Sequence, residues 1–315
     1  MIVTLTPNPS VDRNVELSSL RRGEVNRAVS ARHDPGGKGL NVSRALTLHG
    51  VPTTAVLPIG GHSGRLMLDL IAEASVSVRP VPVVGSIRAN VALVEPNGTT
   101  TKVNELGPTL STDEASALVQ AARDALDAPG WVVGCGSLPR GVPSDFYARL
   151  ADKAHGWGAR VAIDASGEAL SAALRTEVDL VKPNRIELAE VVGCPLATAG
   201  EVIAAARDLI AGGVGEVLVS LGRDGALLVT DQNAMLARAE GILPVSTVGA
   251  GDSLLAGYLA ARSRGADDVE ALSLATAFGA AAVALPGSQM PNPAQVVAVS
   301  VTCTDSIDPS LPLAD

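Results

Sequence analysis

The stretch VIAAARDLIAGGVGEVLVSL, residues 202–221, contains the alternation that decides the fold. Its first part, residues 202–211, is rich in alanine and has the apolar spacing of an amphipathic helix. Its last part, Val217 to Leu221, is a mostly apolar run, which is typical of a strand buried on both faces. A helix that leads into such a strand predicts one repeat of a parallel sheet covered by helices.

The same alternation recurs over most of the chain. Apolar, strand-like runs lie at Trp131 to Val133, Val161 to Ile163 and Leu180 to Val181, and a helical pattern such as Ser111 to Leu126 separates one run from another. From Ser253 onward the pattern is helical. The predicted fold class is therefore α/β, with a doubly wound and mostly parallel sheet.

Two segments and the end of the chain depart from this alternation. Polar and apolar residues alternate at period two within about residues 12–32 and 87–105, and a turn signal, Pro96 to Gly98, divides the second segment. We expect both segments to form a small sheet outside the main one, a lid. Residues 300–315 contain prolines and acids without periodicity, which predicts a flexible tail.

Composition limits the classes of protein that the chain can belong to. Its 315 residues suffice for one large domain with an appendage, and 47% of them are hydrophobic. A net charge of -9 argues against nucleic-acid binding, and no apolar run reaches the roughly 18 residues of a membrane span. We therefore expect a soluble, cytoplasmic protein. The three cysteines include no CxxC pair, so neither a metal site nor a disulfide framework is expected.

The first candidate site is DPGGKGLNVS, residues 34–43, which opens a helix. Glycines permit close approach of the backbone, so the free amides at the helix start can face an anion or a sugar oxygen. Lys38 adds a positive charge, and Asn41 adds a donor and an acceptor. A glycine-rich loop before an ordinary helix cap fits the same residues. Neither GxxxxGK[ST] nor GxGxxG is present, which argues against Walker-type and Rossmann sites.

The second candidate site is STVGAGDS, residues 246–253, which also precedes a helix. Successive amides of the Gly-Ala-Gly turn can form a hole for the charge of a transferring phosphoryl group. Asp252 would then stand beside that hole, where a carboxylate can accept the proton of an attacking hydroxyl. An acid that simply favours the positive end of the helix dipole fits the pattern equally well.

These motifs carry a resemblance to a known family. Residues 36–60 and 246–259 resemble the two signature segments of the ribokinase-like (PfkB) carbohydrate kinases. Four further segments are most similar to the 1-phosphofructokinase subgroup, namely Thr6 to Asp12, Arg22 to Val25, Gly136 to Pro139 and Lys182 to Asn184. The resemblance covers residues 1 to about 290. It implies a three-layer α/β/α sandwich with a small β-sheet lid over one kinase domain, residues 1–315.

The resemblance also implies which residues bind the sugar phosphate. Asp12 would hold sugar hydroxyls, and Arg88 would clamp the existing phosphate. The expected set is Asp12, Gly37, Lys38, Asn41, Arg88, Asn90 and Arg140. Without the resemblance, the two arginines fit solvated surface charges.

The nucleotide side is implied in the same way. The residues expected to bind ATP are Lys182, Asn184, Ser220, Gly222 and Gly225, with Asn184 and Glu187 organising Mg²⁺ through water. Gly249, Ala250 and Gly251 would form the anion hole, and Asp252 would be the catalytic base. Without the resemblance, Asn184 fits a helix cap and the glycines fit ordinary turns.

The implied reaction is ATP-dependent phosphorylation of fructose 1-phosphate to fructose 1,6-bisphosphate. Tagatose 6-phosphate or fructose 6-phosphate is the alternative substrate, and a non-catalytic sugar-phosphate sensor is the alternative of another class. The implied partners are the sugar phosphate, ATP and a second copy of the chain that pairs through the lid.

Overall fold

A computed structural model describes residues 1–127 and 129–314. Two sheets account for its strands. The main sheet contains β1 (Ile2–Leu5), β4 (Thr53–Ile59), β5 (Val78–Pro82), β8 (Trp131–Cys135), β9 (Arg160–Asp164), β10 (Val178–Val181), β11 (Val214–Ser220), β12 (Ala226–Val229), β13 (Ala234–Ala239) and β14 (Val301–Thr304). The small sheet contains β2 (Ser10–Glu16), β3 (Ser30–Gly36), β6 (Arg88–Val94) and β7 (Thr100–Asn104).

Helices cover both faces of the main sheet. They are α1 (Lys38–Leu48), α2 (Gly61–Glu73), α3 (Thr112–Asp124), α4 (Phe146–Gly156), α5 (Gly167–Ala173), α6 (Arg185–Val192), α7 (Ala199–Ala211), α8 (Ala250–Arg262), α9 (Asp268–Val283) and α10 (Pro293–Val297). One core cluster buries residues of α3, α4 and α7, and a second buries residues of α1, α8 and α9. The predicted α/β/α sandwich is therefore confirmed.

Strand order explains where a site can form. The order is β14-β13-β12-β11-β10-β9-β8-β1-β4-β5, parallel from β11 to β5 and antiparallel from β11 to β14. The chain leaves β1 towards β4 and later returns to the other side of β1 at β8. This reversal opens a crevice at the carboxyl ends of the strands, where α/β proteins bind ligands.

The small sheet stands apart from the main one and has the order β3-β2-β6-β7. β2 and β3 are antiparallel, β6 and β7 form a hairpin around Gly98, and β2 pairs with β6 in parallel. A third core cluster, which includes Val11, Leu40 and Met67, joins β2, α1 and α2. That cluster holds the small sheet over the amino end of α1.

The end of the chain differs from its prediction. Val301 to Thr304 form β14, which pairs with β13 at the edge of the main sheet. Leu313 is buried, and its amide donates to the carbonyl of Ala197 at 2.9 Å. The predicted flexible tail is therefore wrong for these residues. Although the segment has no periodicity of its own, residues 301–304 pair with the edge strand β13, and Leu313 packs into the first core cluster. Asp315 lies outside the described residues. No described helix has the length and apolar character that a membrane crossing requires.

Candidate active site

Glycines bring the start of α1 close to the end of β1. Gly37 has φ of 128°, and a Cβ at this position would lie 2.8 Å from Cγ2 of Thr6. A Cβ on Gly39 would lie 2.6 Å from Oγ1 of the same threonine. Only glycine fits at such distances. The motif of residues 34–43 therefore places the α1 N-terminus in the crevice between β1 and β8.

A buried carboxylate, Asp164, joins two lysines at the centre of the crevice. Nζ of Lys38 lies 2.7 Å from Oδ1 of Asp164, and Nζ of Lys182 lies 3.3 Å from its Oδ2. Lys38 also lies 3.8 Å from Oε1 of Glu187. Burial by itself raises the pKa of Asp164, but the two ammonium groups outweigh it and hold that pKa below the ordinary value. Burial also disfavours the charge of Lys38, yet Asp164 and Glu187 raise its pKa overall, so the amine stays protonated.

Asp252 stands in the first turn of α8 and is 7% exposed. Nδ2 of Asn41 donates to its Oδ2 at 2.8 Å. Burial and, after it, repulsion by Asp164 raise the pKa of Asp252 to about 6, while Lys38, Asn41 and Lys182 act in the opposite direction. A carboxylate of this pKa is ionised at neutral pH and is more basic than an exposed aspartate. Its chemistry suits a general base.

The turn before Asp252 is built to meet an anion. Gly249 caps α8 with φ of 80°, a left-handed conformation that favours glycine. The first amides of a helix have no partner within the helix and point along its axis. Nζ of Lys182 lies 3.3 Å from the position that a Cβ on Gly251 would take, so a buried ammonium stands beside these amides. Amides and ammonium together form a positive region next to the carboxylate.

A cavity of about 170 Å³ lies between the small sheet and the loops that precede α8 and follow α9. The small sheet lines it with Asp12, Asn14, Asn90, Val91, Ala92, Lys102 and Asn104, and the opposite wall consists of Val248, Gly287 and Ser288. Oδ1 of Asp12 accepts from Oγ of Ser10 at 2.6 Å and from Nδ2 of Asn90 at 3.0 Å. Burial raises the pKa of Asp12 more than these donors lower it. The cavity is thus polar and carries a half-buried carboxylate.

Among the described residues, three buried polar atoms at or beside this cavity lack a hydrogen-bond partner. They are Oδ1 of Asn90, Oγ of Ser288 and Nε of Arg88. Nη1 of Arg88 donates to the carbonyl of Glu105 at 3.3 Å. Burial lowers the pKa of Arg88, and Asp12 opposes that effect. Because buried polar groups are nearly always paired, these atoms offer hydrogen-bonding positions that a polar ligand can use.

Not every residue expected at the sugar phosphate lies at this cavity. Of the expected set, Asp12 and Asn90 line it, whereas its described lining does not include Gly37, Lys38, Asn41, Arg88 or Arg140. Lys38 faces Asp164 and Glu187 instead, and Arg140 is exposed, with its carbonyl accepting from the amide of Leu110. Lys38 therefore belongs to the charged centre beside Asp252.

The carboxyl ends of β10 and β11 carry the residues expected at the nucleotide. Asn184 caps α6, since its Oδ1 accepts from the amide of Glu187 at 2.8 Å and Oε2 of Glu187 accepts from the amide of Asn184 at 2.8 Å. A β-bridge joins Asn184 to Ser220. Gly222 has φ of 60° with open space around its Cα, whereas a Cβ on Gly225 would collide with the carbonyl of Ala237. Gly225 thus has a structural reason to be glycine.

The sequence analysis did not predict four residues that the structure places at the charged centre or at the cavity. They are Asp164, Asn14, Lys102 and Asn104. A signal for Asp164 was available, because it directly follows the apolar run Val161 to Ile163 at the carboxyl end of a parallel strand. No comparable signal marked Lys102 or Asn104, since alternating polar residues on a hairpin are ordinarily solvated.

Comparison with known proteins identifies the family. Residues 7–295 match the model of the pfkB family carbohydrate kinases. The chain is 39% identical over 310 residues to the 1-phosphofructokinase of Rhodobacter capsulatus, with 96% of each chain covered. It is 36% identical to the ATP-dependent 6-phosphofructokinase isozyme 2 of Mycobacterium tuberculosis, covering 92% of this chain and 86% of that protein. A crystal structure of phosphofructokinase-2 from Escherichia coli in complex with potassium superposes with a TM-score of 0.89 at 32% identity, covering 94% of this chain and 96% of that one. The chain belongs to the pfkB family of carbohydrate kinases.

Proposed function

We propose that this chain transfers the terminal phosphoryl group of ATP to a hydroxyl of fructose 1-phosphate. The observation that carries the proposal is the position of Asp252, a buried carboxylate whose pKa is raised to about 6, in the first turn of α8 beside the amides at the start of that helix. A base and an anion hole at one point are what phosphoryl transfer requires of a protein. The choice of sugar phosphate rests on similarity to a 1-phosphofructokinase over 96% of both chains.

The positions of the charged and polar groups suggest a mechanism for the phosphoryl transfer. Asp12 and Asn90 hold sugar hydroxyls under the small sheet, which acts as a lid. Asp252 takes the proton of the attacking hydroxyl, the hydroxyl oxygen bonds to the γ-phosphorus, and the bond from that phosphorus to the ADP oxygen breaks. The amides of residues 249–251 and the ammonium of Lys182 stabilise the negative charge on the transferring oxygens.

The nucleotide is proposed to lie over the carboxyl ends of β10 and β11. Gly222 there leaves open space, and Ser220 and Asn184 stand on neighbouring strand ends. Asn184 and Glu187 would hold Mg²⁺ through bound water, since both offer the oxygen donors that this ion prefers. Bound there, the ion would neutralise phosphate charge. Among the described residues, no group of three or more His, Cys, Asp or Glu side chains is placed to hold a metal ion directly.

A second candidate substrate is a sugar 6-phosphate. It is tested because the chain is also 36% identical to an ATP-dependent 6-phosphofructokinase isozyme, less than the 39% identity to the 1-phosphofructokinase. The deciding experiment compares ATP turnover with fructose 1-phosphate, fructose 6-phosphate and tagatose 6-phosphate at equal concentration with Mg²⁺. We expect the highest kcat/KM with fructose 1-phosphate. A preference for a 6-phosphate would replace the substrate and keep the mechanism, whereas no turnover with any sugar phosphate would contradict the kinase proposal.

We also propose that two copies pair through the small sheet. Val103 on β7 is 58% exposed, and Val25 and Val29, in and next to the β2–β3 connection, are exposed by 74% and 72%. Burial of such side chains favours association. Sedimentation of the wild type and of Val103→Asp tests this, with a lighter species expected for the variant. Equal mass for both at every concentration would argue against pairing through this face.

A further inference from the structure

Arg44 lies on α1, one turn after Asn41, and reaches three parts of the site at once. Its Nη1 donates to Oδ1 of Asn41 at 3.0 Å, to the carbonyl of Pro35 at 3.2 Å and to the carbonyl of Ser288 at 3.2 Å. Pro35 lies at the end of β3 in the small sheet, and Ser288 lines the cavity beneath that sheet. None of the roles derived above uses this arginine.

The contact with Asn41 decides which way the asparagine amide faces. A guanidinium only donates, so the atom of Asn41 that faces Arg44 must be the acceptor, Oδ1. The other end of the amide, Nδ2, then donates to Oδ2 of Asp252 at 2.8 Å. In the opposite orientation an amide oxygen would face a carboxylate oxygen, and amide hydrogens would face the guanidinium. Both contacts would be repulsive, so Arg44 and the carboxylate of Asp252 favour the same orientation, and Arg44 holds the amide in it from the side opposite Asp252.

The charges around the pair belong to several elements. Asp252 faces Asp164 from β9, Lys38 from α1 and Lys182 after β10. The guanidinium of Arg44 faces Asp34 and Arg32 from β3, Asp12 from β2 and Asp252 from α8. Burial lowers the pKa of Arg44, and the three carboxylates oppose that effect. Arg44 is therefore a partly desolvated cation between the carboxylate under the small sheet and the carboxylate of α8.

We propose that Arg44 is a positioning residue for the kinase reaction: it fixes the amide of Asn41, which in turn orients Asp252 towards the hydroxyl to be phosphorylated. The same guanidinium ties the end of β3 to the loop at Ser288, so the cavity walls and the base keep one relative position. The inference rests on the proposed function, because it assumes that Asp252 is the base. It does not depend on which sugar phosphate is bound.

The test uses three substitutions at one position and a control. Arg44→Met removes every donor, Arg44→Gln keeps a polar group that no longer dictates the orientation of Asn41, and Arg44→Lys keeps the charge and a donor. Arg65→Met, at an exposed position on α2, is the matched control. For Arg44→Met and Arg44→Gln we expect kcat lower by at least about tenfold, with the KM for ATP changed by less than about twofold. Arg44→Lys should recover a large part of kcat.

A second readout does not need turnover. The side-chain carboxyl signal of Asp252 is followed by ¹³C NMR during a pH titration of the ligand-free protein. Loss of the fixed amide donor and of the nearby cation should raise the pKa of Asp252 in Arg44→Met and Arg44→Gln, because both groups favour the charged form. A pKa equal to that of the wild type in both variants would overturn the inference. Should the methionine variant not fold, the glutamine variant carries the test.

A double substitution separates positioning from mere support of the fold. If Arg44 acts through Asn41, then Arg44→Gln should lower kcat much less in an Asn41→Leu background than in the wild type. Equal losses in both backgrounds, with lowered thermal stability alone, would show a purely structural role and overturn the inference. Failure of the wild type to phosphorylate any sugar phosphate would instead contradict the proposed function, and the NMR titration would still report whether Arg44 governs Asp252.

Discussion

Nζ of Lys38 lies 2.7 Å from Oδ1 of Asp164, a carboxylate with no solvent exposure at the end of β9. The contact joins residues that are 126 positions apart in the chain. It places Lys38 beside Lys182 and Asp252, and Lys38 is not among the residues that line the cavity under the small sheet. Asp164 balances two cations that would otherwise face each other in a buried crevice.

The first prediction concerns Asp164→Asn. The substitution leaves Lys182, whose side chain is 4% exposed, without its ion-pair partner. Because an uncompensated buried charge is costly, we expect the free energy of unfolding to fall by roughly 3–5 kcal/mol, measured by urea denaturation. Asp179→Asn, which alters a half-exposed pair with His155, is the control and should cost about 1 kcal/mol or less. Similar losses in both variants would show that Asp164 is not the central counter-charge.

The second prediction concerns the pH dependence of catalysis. The base must be ionised to accept a proton, and the pKa of Asp252 is raised to about 6. We therefore expect kcat/KM to rise with pH through about 6 and to level off above it. The substrate phosphate titrates in the same region, so its pKa is measured separately by ³¹P NMR. A rise that coincides with the phosphate titration alone would contradict the assignment.

The third prediction concerns Asp252→Asn. Turnover should fall by roughly 10²–10⁴-fold because the base is lost.

The stability of Asp252→Asn should change in the opposite direction. The folded pKa of about 6 lies above the ordinary value of 3.8, so the wild type loses stability as pH rises between these values and stays lower above them. At pH 8 the variant should be more stable by on the order of 1–3 kcal/mol, a difference that closes below about pH 4. Thermal unfolding at pH 5 and pH 8 measures it, and a variant that is less stable at pH 8 would count against a strained base.

The fourth prediction compares two glycines of one turn. Gly249 has φ of 80°, so Gly249→Ala should cost about 1–2 kcal/mol of stability and tilt the amides of the anion hole, with a large loss of kcat. Gly251 lies within α8, and an added Cβ would stand 3.3 Å from Nζ of Lys182. We expect Gly251→Ala to keep its stability and to lose less kcat. Equal losses of stability would mean that the left-handed conformation is not what matters at Gly249.

The fifth prediction concerns the phosphate that the sugar already carries. If Arg88 binds it, Arg88→Ala should raise the KM for the sugar phosphate far more than the KM for ATP, as steady-state kinetics can measure. Arg207→Ala, which removes an exposed arginine on α7, serves for comparison and should change neither constant by more than about twofold. Equal changes of both KM values in Arg88→Ala would contradict the role of Arg88 as a phosphate clamp.

Local motifs predicted many residues of the candidate site, but they did not predict which of these residues contact one another. The Gly-Ala-Gly turn before Asp252 and the glycines before Lys38 were identified because they impose backbone conformations on their own segments. Asn41 was identified as a donor and an acceptor, but its contact with Asp252 spans 211 positions. Arg44 received no role, since a single arginine on a helix has no local signature. Contacts across the sheet cannot be derived from spacing along the chain.

The sequence by itself determined the layers of the fold and the helix that carries Asp252, because apolar periodicity and glycine turns act over a few residues. Only the tertiary structure decided that Lys38 faces Asp164, that Arg44 orients Asn41, and that residues 301–304 complete the main sheet. These relationships depend on which strand ends become neighbours. Strand order follows from packing of the whole chain, so the charges meet only after the sheet has formed.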